Sequence, residues 1–365
     1  MPVTLTPSRL VLARQRRGFS RVALARAAGV SDKSLQGYEN GTQQPLPETV
    51  QALADTLGFP PAFFFSSDVE DIPTEAISFR ALSKVTASQR NAARSAGRIA
   101  LMLSDWINDR FSLPTADVPH LPTLAPEAAA EVVRARWGLG QGPIGNMIHL
   151  LESHGVRVFS LVGECEAVDA FSFAWNKTPV VVLNTGKNGE RGRFDAAHEL
   201  GHLVLHTEHR TSQGPDSEQE ANSFAASFLM PRSAVLSQSL YNATLDRVLA
   251  AKKYWRVAAM AMTHRLRELD LLTEWGSRTL YVNLSRMGYR SMEPKGIPRE
   301  ISQLLAKVVR AARSEGTTPA HIASDLHITV HELNTHIFGL VPIALEGGAV
   351  TSAAPPPRLR LVGGD

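Results

Sequence analysis

The chain contains one cysteine, Cys165, in 365 residues. That excludes an internal disulfide framework and any zinc module built on several cysteines, so a metal would have to rest on histidines and carboxylates. Long apolar runs are also missing: no stretch approaches the roughly 20 residues that cross a bilayer. The opening "MPVTLTPSRL" lacks the apolar core of a signal peptide. Together these absences predict a cytoplasmic protein with no membrane partner. Strong charge of one sign is absent too, because 38 Lys and Arg stand against 35 Asp and Glu. A nucleic-acid partner therefore cannot be read from the sum, only from the distribution. The final stretch, residues 343–365, lacks an apolar pattern and is predicted to be disordered. With 44% hydrophobic and 20% charged residues the rest is ordinary globular sequence, long enough for two or three domains.

Residues 6–59 have the rhythm of short helices with sharp stops. "TPSRLVLARQRRG" pairs Thr and Pro at its start with Gly18 at its end, and "SRVALARAAGV" runs from Ser20 to Gly29. "SDKSLQGYENG" and "LPETVQALADTLG" follow, and two short helices joined through "AGVS" are a helix-turn-helix signal. Residues 88–111 predict one long helix. After it "SLPTADVPHLPTLAPE" carries four prolines in sixteen residues and is a linker or irregular connection. Helices are predicted again from near Pro126 to "RARWGLG" and over "IGNMIHLLESHG".

The period then changes. "VRVFSLVG", "VDAFSFAW" and "PVVVLNTG" are short, β-rich and bounded by turn residues, which predicts three strands of a small sheet. A histidine-bearing helix, "RFDAAHELGHLVLH", comes next, followed by a second helix, "SEQEANSFAASFLMP". The predicted fold class is α+β: an all-α N-terminal helix-turn-helix domain, a small sheet with two helices, and a helical C-terminal region. The expected divisions are 5–66 for the helix-turn-helix domain, 67–125 for a helical linker, 126–240 for the core around the sheet, 241–295 for a helical extension, and 296–342 for a last helical segment.

His198, Glu199 and His202 form H-E-x-x-H. On a helix, residues i and i+4 share a face about 6 Å apart along the axis, so both imidazoles can reach one ion. Glu199 is turned about 100° from His198, beside such an ion rather than on it. Zinc lowers the pKa of bound water to about 7, and a carboxylate so placed can take the proton. A third ligand is required. His206 lies eight residues from His198, about 12 Å along the axis, too far for a zinc held at about 2 Å. An arrangement with a glycine turn and a third histidine fails, because those positions are Leu205 and Glu208. The following helix offers Glu218 and Glu220. Glu220 is in phase with Phe224 and Phe228 and is expected to point inward as the third ligand. Glu218, nearer the helix start, suits capping or the favourable end of the dipole. Asp195 and Asn222 are candidates for orienting a ligand. A core helix with incidental histidines is the competing reading, which the strands before it and the acidic helix after it oppose. His206 and His209 are expected at a helix end without a catalytic role.

"FDAAHELGHLVLH" with "EQEANSFAASFLMP" resembles the ImmA/IrrE family of metallopeptidases, which have a gluzincin-like zinc site, and the likeness runs on through "YWRVAAMAMTHRLRELDLL" to "LSRMGYRSMEP". "RQRRGFSRVALARAAGVSDKSLQGYENG" resembles an XRE-type helix-turn-helix, and the combined resemblance covers most of residues 5–295. It departs at Arg21, where the family usually has Gln, and at Gln36, where it usually has Ser; these changes alter the bases read without removing the fold. The resemblance implies a narrowly specific zinc protease whose substrate is a DNA-binding repressor, as in a stress response. It implies Zn2+ on His198, His202 and Glu220, Glu199 as general base, and a sheet edge that holds the substrate as an added strand.

For the DNA-binding end, a recognition helix over about Ser31–Tyr38 would present Ser31, Asp32, Lys33, Ser34 and Gln36 to base edges of a double-stranded operator, with Arg21 nearby. Arg9, Arg14, Arg16, Arg17 and Arg26 add phosphate-seeking charge. XRE-type modules act as dimers, so a homodimer is expected. Residues 317–340 repeat the helix-turn-helix rhythm with four histidines and no Arg or Lys, which suits packing or dimerisation as well as DNA contact. The leading functional reading is a DNA-binding regulator that cleaves a protein partner. The alternative is a transcription factor or antitoxin-like repressor whose peptidase-like domain senses a ligand or metal without turnover.

Overall fold

The computed structural model describes residues 4–73, 78–79, 85–161, 168–206, 214–337 and 339–341. Cys165, Glu208, His209 and the expected tail 343–365 lie outside the described residues. The N-terminal region is four helices, α1 (Pro7–Arg16), α2 (Arg21–Ala27), α3 (Asp32–Glu39) and α4 (Pro47–Leu57), closed by a 3-10 turn at Pro61–Phe65. Prolines open α1 and α4, where a missing N–H costs nothing. The Ser20 and Ser31 hydroxyls accept from the backbone N–H groups of Ala23 and Ser34, capping α2 and α3. Leu10, Leu24, Leu35, Leu53 and Phe63 are fully buried and form one small core.

A two-residue strand β1 (Ser78–Phe79) precedes the long helix α5 (Ala87–Asn108), which starts at a Thr86–Gln89 capping box. Next come α6 (Pro126–Arg136), α7 (Met147–Ser153), β2 (Arg157–Ser160), β3 (Ala170–Trp175), β4 (Thr178–Leu183), α8 (Gly189–Leu205) and α9 (Pro215–Leu229). Three of the strands are those the sequence predicts, and β1 adds a fourth in the order β1-β3-β4-β2. β3 and β4 form an antiparallel hairpin through Asn176 and Lys177, both at positive φ, while β2 runs parallel to β4. Val180, Val181 and Val182 are all fully buried, so both faces of β4 are covered. A continuous apolar run in place of alternation is what two covered faces require. One face packs on α8. Toward α5, Gly97 permits close approach: a Cβ there would stand 3.2 Å from the Phe171 ring.

Helices α10 (Arg232–Ser237), α11 (Leu245–Trp255), α12 (Ala259–Glu268) and α13 (Glu274–Arg286) extend the second domain. The chain ends in α14 (Gln303–Ser314), α15 (Pro319–Asp325) and α16 (Val330–Ile337). α15 and α16 pack together, and α16 also packs on β2. The Glu332 side chain on α16 is fully buried and accepts from Arg16 Nε at 2.7 Å and Arg17 Nη1 at 2.6 Å, both at the end of α1. His336 Nε2 lies 3.3 Å from the same carboxylate. Trp106 on α5 donates to Asp325 at 2.9 Å. The last helix pair therefore fastens the N-terminal helices to the sheet, which is the packing alternative for residues 317–340.

Burial pushes the Glu332 carboxyl up, but the charge of Arg16, the bond from His336 and the charge of Arg17 outweigh it and hold its pKa well below the usual carboxylate range. Such a group stabilises the fold fully above its unfolded pKa of about 4.3, and that contribution disappears as pH falls through the lowered folded value. Glu332→Ala leaves buried guanidinium charge uncompensated and is expected to cost about 3–5 kcal/mol in denaturant unfolding. Hydrogen exchange of α16 is expected to lose protection in acid in the wild type and to depend less on acid pH in Glu332→Gln.

Candidate metal centre and DNA-binding helices

The H-E-x-x-H residues sit in the middle of α8, with His198 and Glu199 fully buried and His202 nearly so. α8 starts at Gly189, four residues before the predicted Arg193, because the Asn188 side chain accepts from Arg191 N–H and caps it. α9 crosses α8 closely at Gly201, where a Cβ would stand 3.2 Å from the Ala221 Cα and 3.1 Å from the Phe224 ring. The close approach brings the first turn of α9 over the two histidines.

The third group at that point is Glu218. His198 Nε2 and His202 Nε2 lie 3.1 Å apart. The Glu218 carboxylate is 3.5 Å from the first and 3.2 Å from the second. These three donor atoms all fall within 4.8 Å of one another. Zinc–ligand distances of about 2.0–2.1 Å in tetrahedral geometry put ligand atoms about 3.3 Å apart, which these spacings match. The protonation of His198 fits as well. Its Nδ1 is 3.1 Å from Asn222 Oδ1, an acceptor, which suits a ring that carries its hydrogen on Nδ1 and turns the Nε2 lone pair inward. A lone pair and a carboxylate converging on one point call for a cation.

Glu220 is not brought to this point, which corrects the sequence expectation. Its side chain is 52% exposed and its Oε2 lies 3.0 Å from His206 Nε2. Two residues beyond Glu218, it is turned about 200° around the helix. Glu220 shares its phase with Phe224 and Phe228 but lies beside His206 at the end of α8, whereas Glu218 lies on the side of α9 that faces His198 and His202. Ala221, Asn222 and Ala225, at i+3, i+4 and i+7 from Glu218, mark that side. Asp195 is buried but stands beside Lys187, whose Nζ is 3.7 Å away, while Asn222 does reach His198.

Ser172 on β3 was not foreseen. Its hydroxyl donates to Glu199 Oε2 at 2.6 Å, fixing the carboxylate from the sheet side. A small polar residue inside the apolar run "AFSFA" was the available signal, since a buried hydroxyl needs a partner. β1 pairs with β3 at this same residue, Ser78 opposite Ser172. A cleft of about 830 Å³ opens beside Glu218 and is lined also by Phe194, Asn222, Met260, His264 and Tyr281.

In the N-terminal domain α2 and α3 pack as the two helices of a helix-turn-helix. Four of the arginines read as phosphate-seeking have structural partners instead. Arg9 donates to Ser67 O, Arg14 to Glu39 and Phe19 O, and Arg16 and Arg17 to Glu332. Arg21 pairs with Asp32 through two bonds, of 2.8 and 3.1 Å, so these two candidates meet each other. The Ser31 hydroxyl caps α3 and contacts the Ser34 hydroxyl. Lys33 and Gln36 on α3 and Arg26 on α2 are exposed.

The structure thus joins a helix-turn-helix module to an α+β domain in which two histidines and a carboxylate converge. Residues 10–64 match the helix-turn-helix family model, and residues 151–267 match that of the IrrE N-terminal-like domain, a peptidase family. The chain is accordingly an XRE-type helix-turn-helix domain fused to an ImmA/IrrE-like peptidase domain. No curated protein matches it. Among the described residues no helix is long and apolar enough to cross a membrane.

Two measurements check these assignments. Glu218→Ala is expected to weaken zinc binding, in competition with a chelator, by more than the 10–100-fold typical of losing an outer partner, and Glu220→Ala by no more than that. Arg26→Ala and Lys33→Ala are each expected to reduce the slope of log affinity for DNA against log salt by about 1. Unchanged slopes would move the phosphate contacts elsewhere.

Proposed function

We propose that this protein is a DNA-binding regulator that hydrolyses a specific protein partner, a repressor, at a zinc centre held by His198, His202 and Glu218. The observation that carries the proposal is the convergence of two imidazole nitrogens and a carboxylate within 4.8 Å, next to the buried Glu199. When bound, zinc supplies Lewis acidity and brings the pKa of water to about 7. Glu199, buried beside the donor group, would be the carboxylate that holds a proton and passes it to the leaving amine. Ser172, by donating to Glu199 Oε2, holds the carboxylate from the sheet side. Asn222 fixes the ring of His198. The cleft beside Glu218 receives substrate side chains, with Phe194, Met260 and Tyr281 as its larger apolar surfaces. A substrate strand would have to displace β1 or pair beyond it, since β1 holds the edge of β3 at Phe171 and Ser172. The helix-turn-helix domain binds double-stranded operator DNA as a homodimer in the cytoplasm and so brings the hydrolytic site to promoters where repressors reside.

A second reading is favoured by one observation, the buried bonds from Arg16 and Arg17 to Glu332. They tie the DNA-binding helices to a helix that packs on the sheet, so a ligand or metal in the second domain could alter DNA affinity without turnover. The two readings separate in one experiment. Wild type and Glu199→Gln, both loaded with zinc, are mixed with candidate repressors encoded nearby and analysed by mass. Cleavage by the wild type, slowed about 10²–10⁴-fold in the variant with DNA binding retained, is the expected result. No cleavage of any candidate, together with loss of DNA binding on chelation, would replace the protease with a sensor.

A further inference from the structure

The third histidine of the motif helix is too far from His198 to join the donor group, yet its ring is not idle. His206 Nδ1 lies 2.9 Å from His202 Nδ1, and His206 Nε2 lies 3.0 Å from Glu220 Oε2. Helix capping does not account for this geometry. The chain leaves α8 at His206 with extended backbone, and its own N–H donates to His202 O, so the cap is made by the main chain. The side chain is only 15% exposed and is held by its two ring nitrogens.

The hydrogens on these nitrogens can be assigned in only one consistent way when His202 uses Nε2 as a ligand. His202 must then carry its hydrogen on Nδ1 and donate it to His206 Nδ1. His206, accepting at Nδ1, must carry its own hydrogen on Nε2 and donate it to Glu220, which as a carboxylate only accepts. Every group has one role, and the row ends at a half-exposed carboxylate. His198 is served separately by Asn222.

We propose that His206 and Glu220 form a positioning relay for His202. It sets the tautomer and ring angle of that ligand from the helix end and links the metal centre to the surface. The proposal rests on the metal-site reading above, and it gives the two residues that the site does not hold directly a defined part in it: His206 and Glu220 are positioning residues, not ligands.

The test uses the full-length protein and zinc affinity measured against a competing chelator, with no substrate needed. His206→Phe keeps the ring's bulk without its nitrogens and is expected to weaken zinc binding about 10–100-fold. His206→Asn returns an acceptor near the Nδ1 position and is expected to recover most of that loss, and Glu220→Gln is expected to lose less than His206→Phe. Affinity of His206→Phe within twofold of wild type would overturn the relay. A second readout needs no variant: in the zinc-loaded wild type, nitrogen NMR of the imidazoles is expected to find His202 as the Nδ1–H tautomer and His206 as Nε2–H. A His206 ring protonated on Nδ1 would also overturn it. Parallel measurements on His198→Ala and Glu218→Gln keep the two ideas apart. If these bind zinc as tightly as the wild type, the metal-site reading fails, whereas their loss of zinc with an intact His206→Phe removes the relay alone.

Discussion

Everything at the candidate metal centre depends on how closely two helices cross. α8 supplies both histidines and Glu199, but nothing on α8 can complete a donor set, because the next histidine lies about 12 Å along the axis. Completion comes from α9, and α9 reaches only because Gly201 and Ala221 let the backbones meet without intervening side chains. A larger residue at either position would push the first turn of α9 outward and move the Glu218 carboxylate from between the imidazoles. The same crossing places Asn222 against His198 and Glu220 against His206. One packing contact thus determines the donor group and both of the bonds that orient it.

The sheet acts from the other side. Ser172 lies in the buried part of β3, and from there its hydroxyl holds Glu199. Glu199 on a helix and Ser172 on a strand belong to separate elements, so their 2.6 Å contact depends on how α8 is seated on β3. The N-terminal domain is joined to this assembly by buried charge. Arg16 and Arg17 would be costly to bury without Glu332, and Glu332 without them. Such a junction has a specific geometry, unlike an apolar one, and fixes α1 relative to α16. Arg16 and Arg17 are engaged in that attachment, whereas Arg26 on α2 and Lys33 and Gln36 on α3 are exposed.

Much of this was legible in one dimension. Helix starts at Ser20, Ser31 and Pro47, the three strands between 156 and 186, and the pairing of His198 with His202 are all local, because caps, strand alternation and the i, i+4 face depend on a few neighbouring residues. What failed was what requires knowing the surroundings of a turn. Glu220 has the right phase against Phe224 and Phe228, but phase tells which residues share a face and not whether anything covers that face at a given turn. Arg9, Arg14, Arg16 and Arg17 look alike in sequence to DNA-contacting arginines, and their partners lie between 5 and 316 residues away.

By itself, then, the sequence determined the helices, the small sheet, the placing of His198, Glu199 and His202 on one helix, and the short-helix rhythm of the N-terminal region. Each of these follows from short-range stereochemistry or from spacing within one element. Only the tertiary structure decided which glutamate faces the histidines, what holds Glu199, what His206 touches and which arginines remain for DNA. Those outcomes depend on where two elements cross, and a crossing is set by the packing of side chains distant in sequence, which no single element contains.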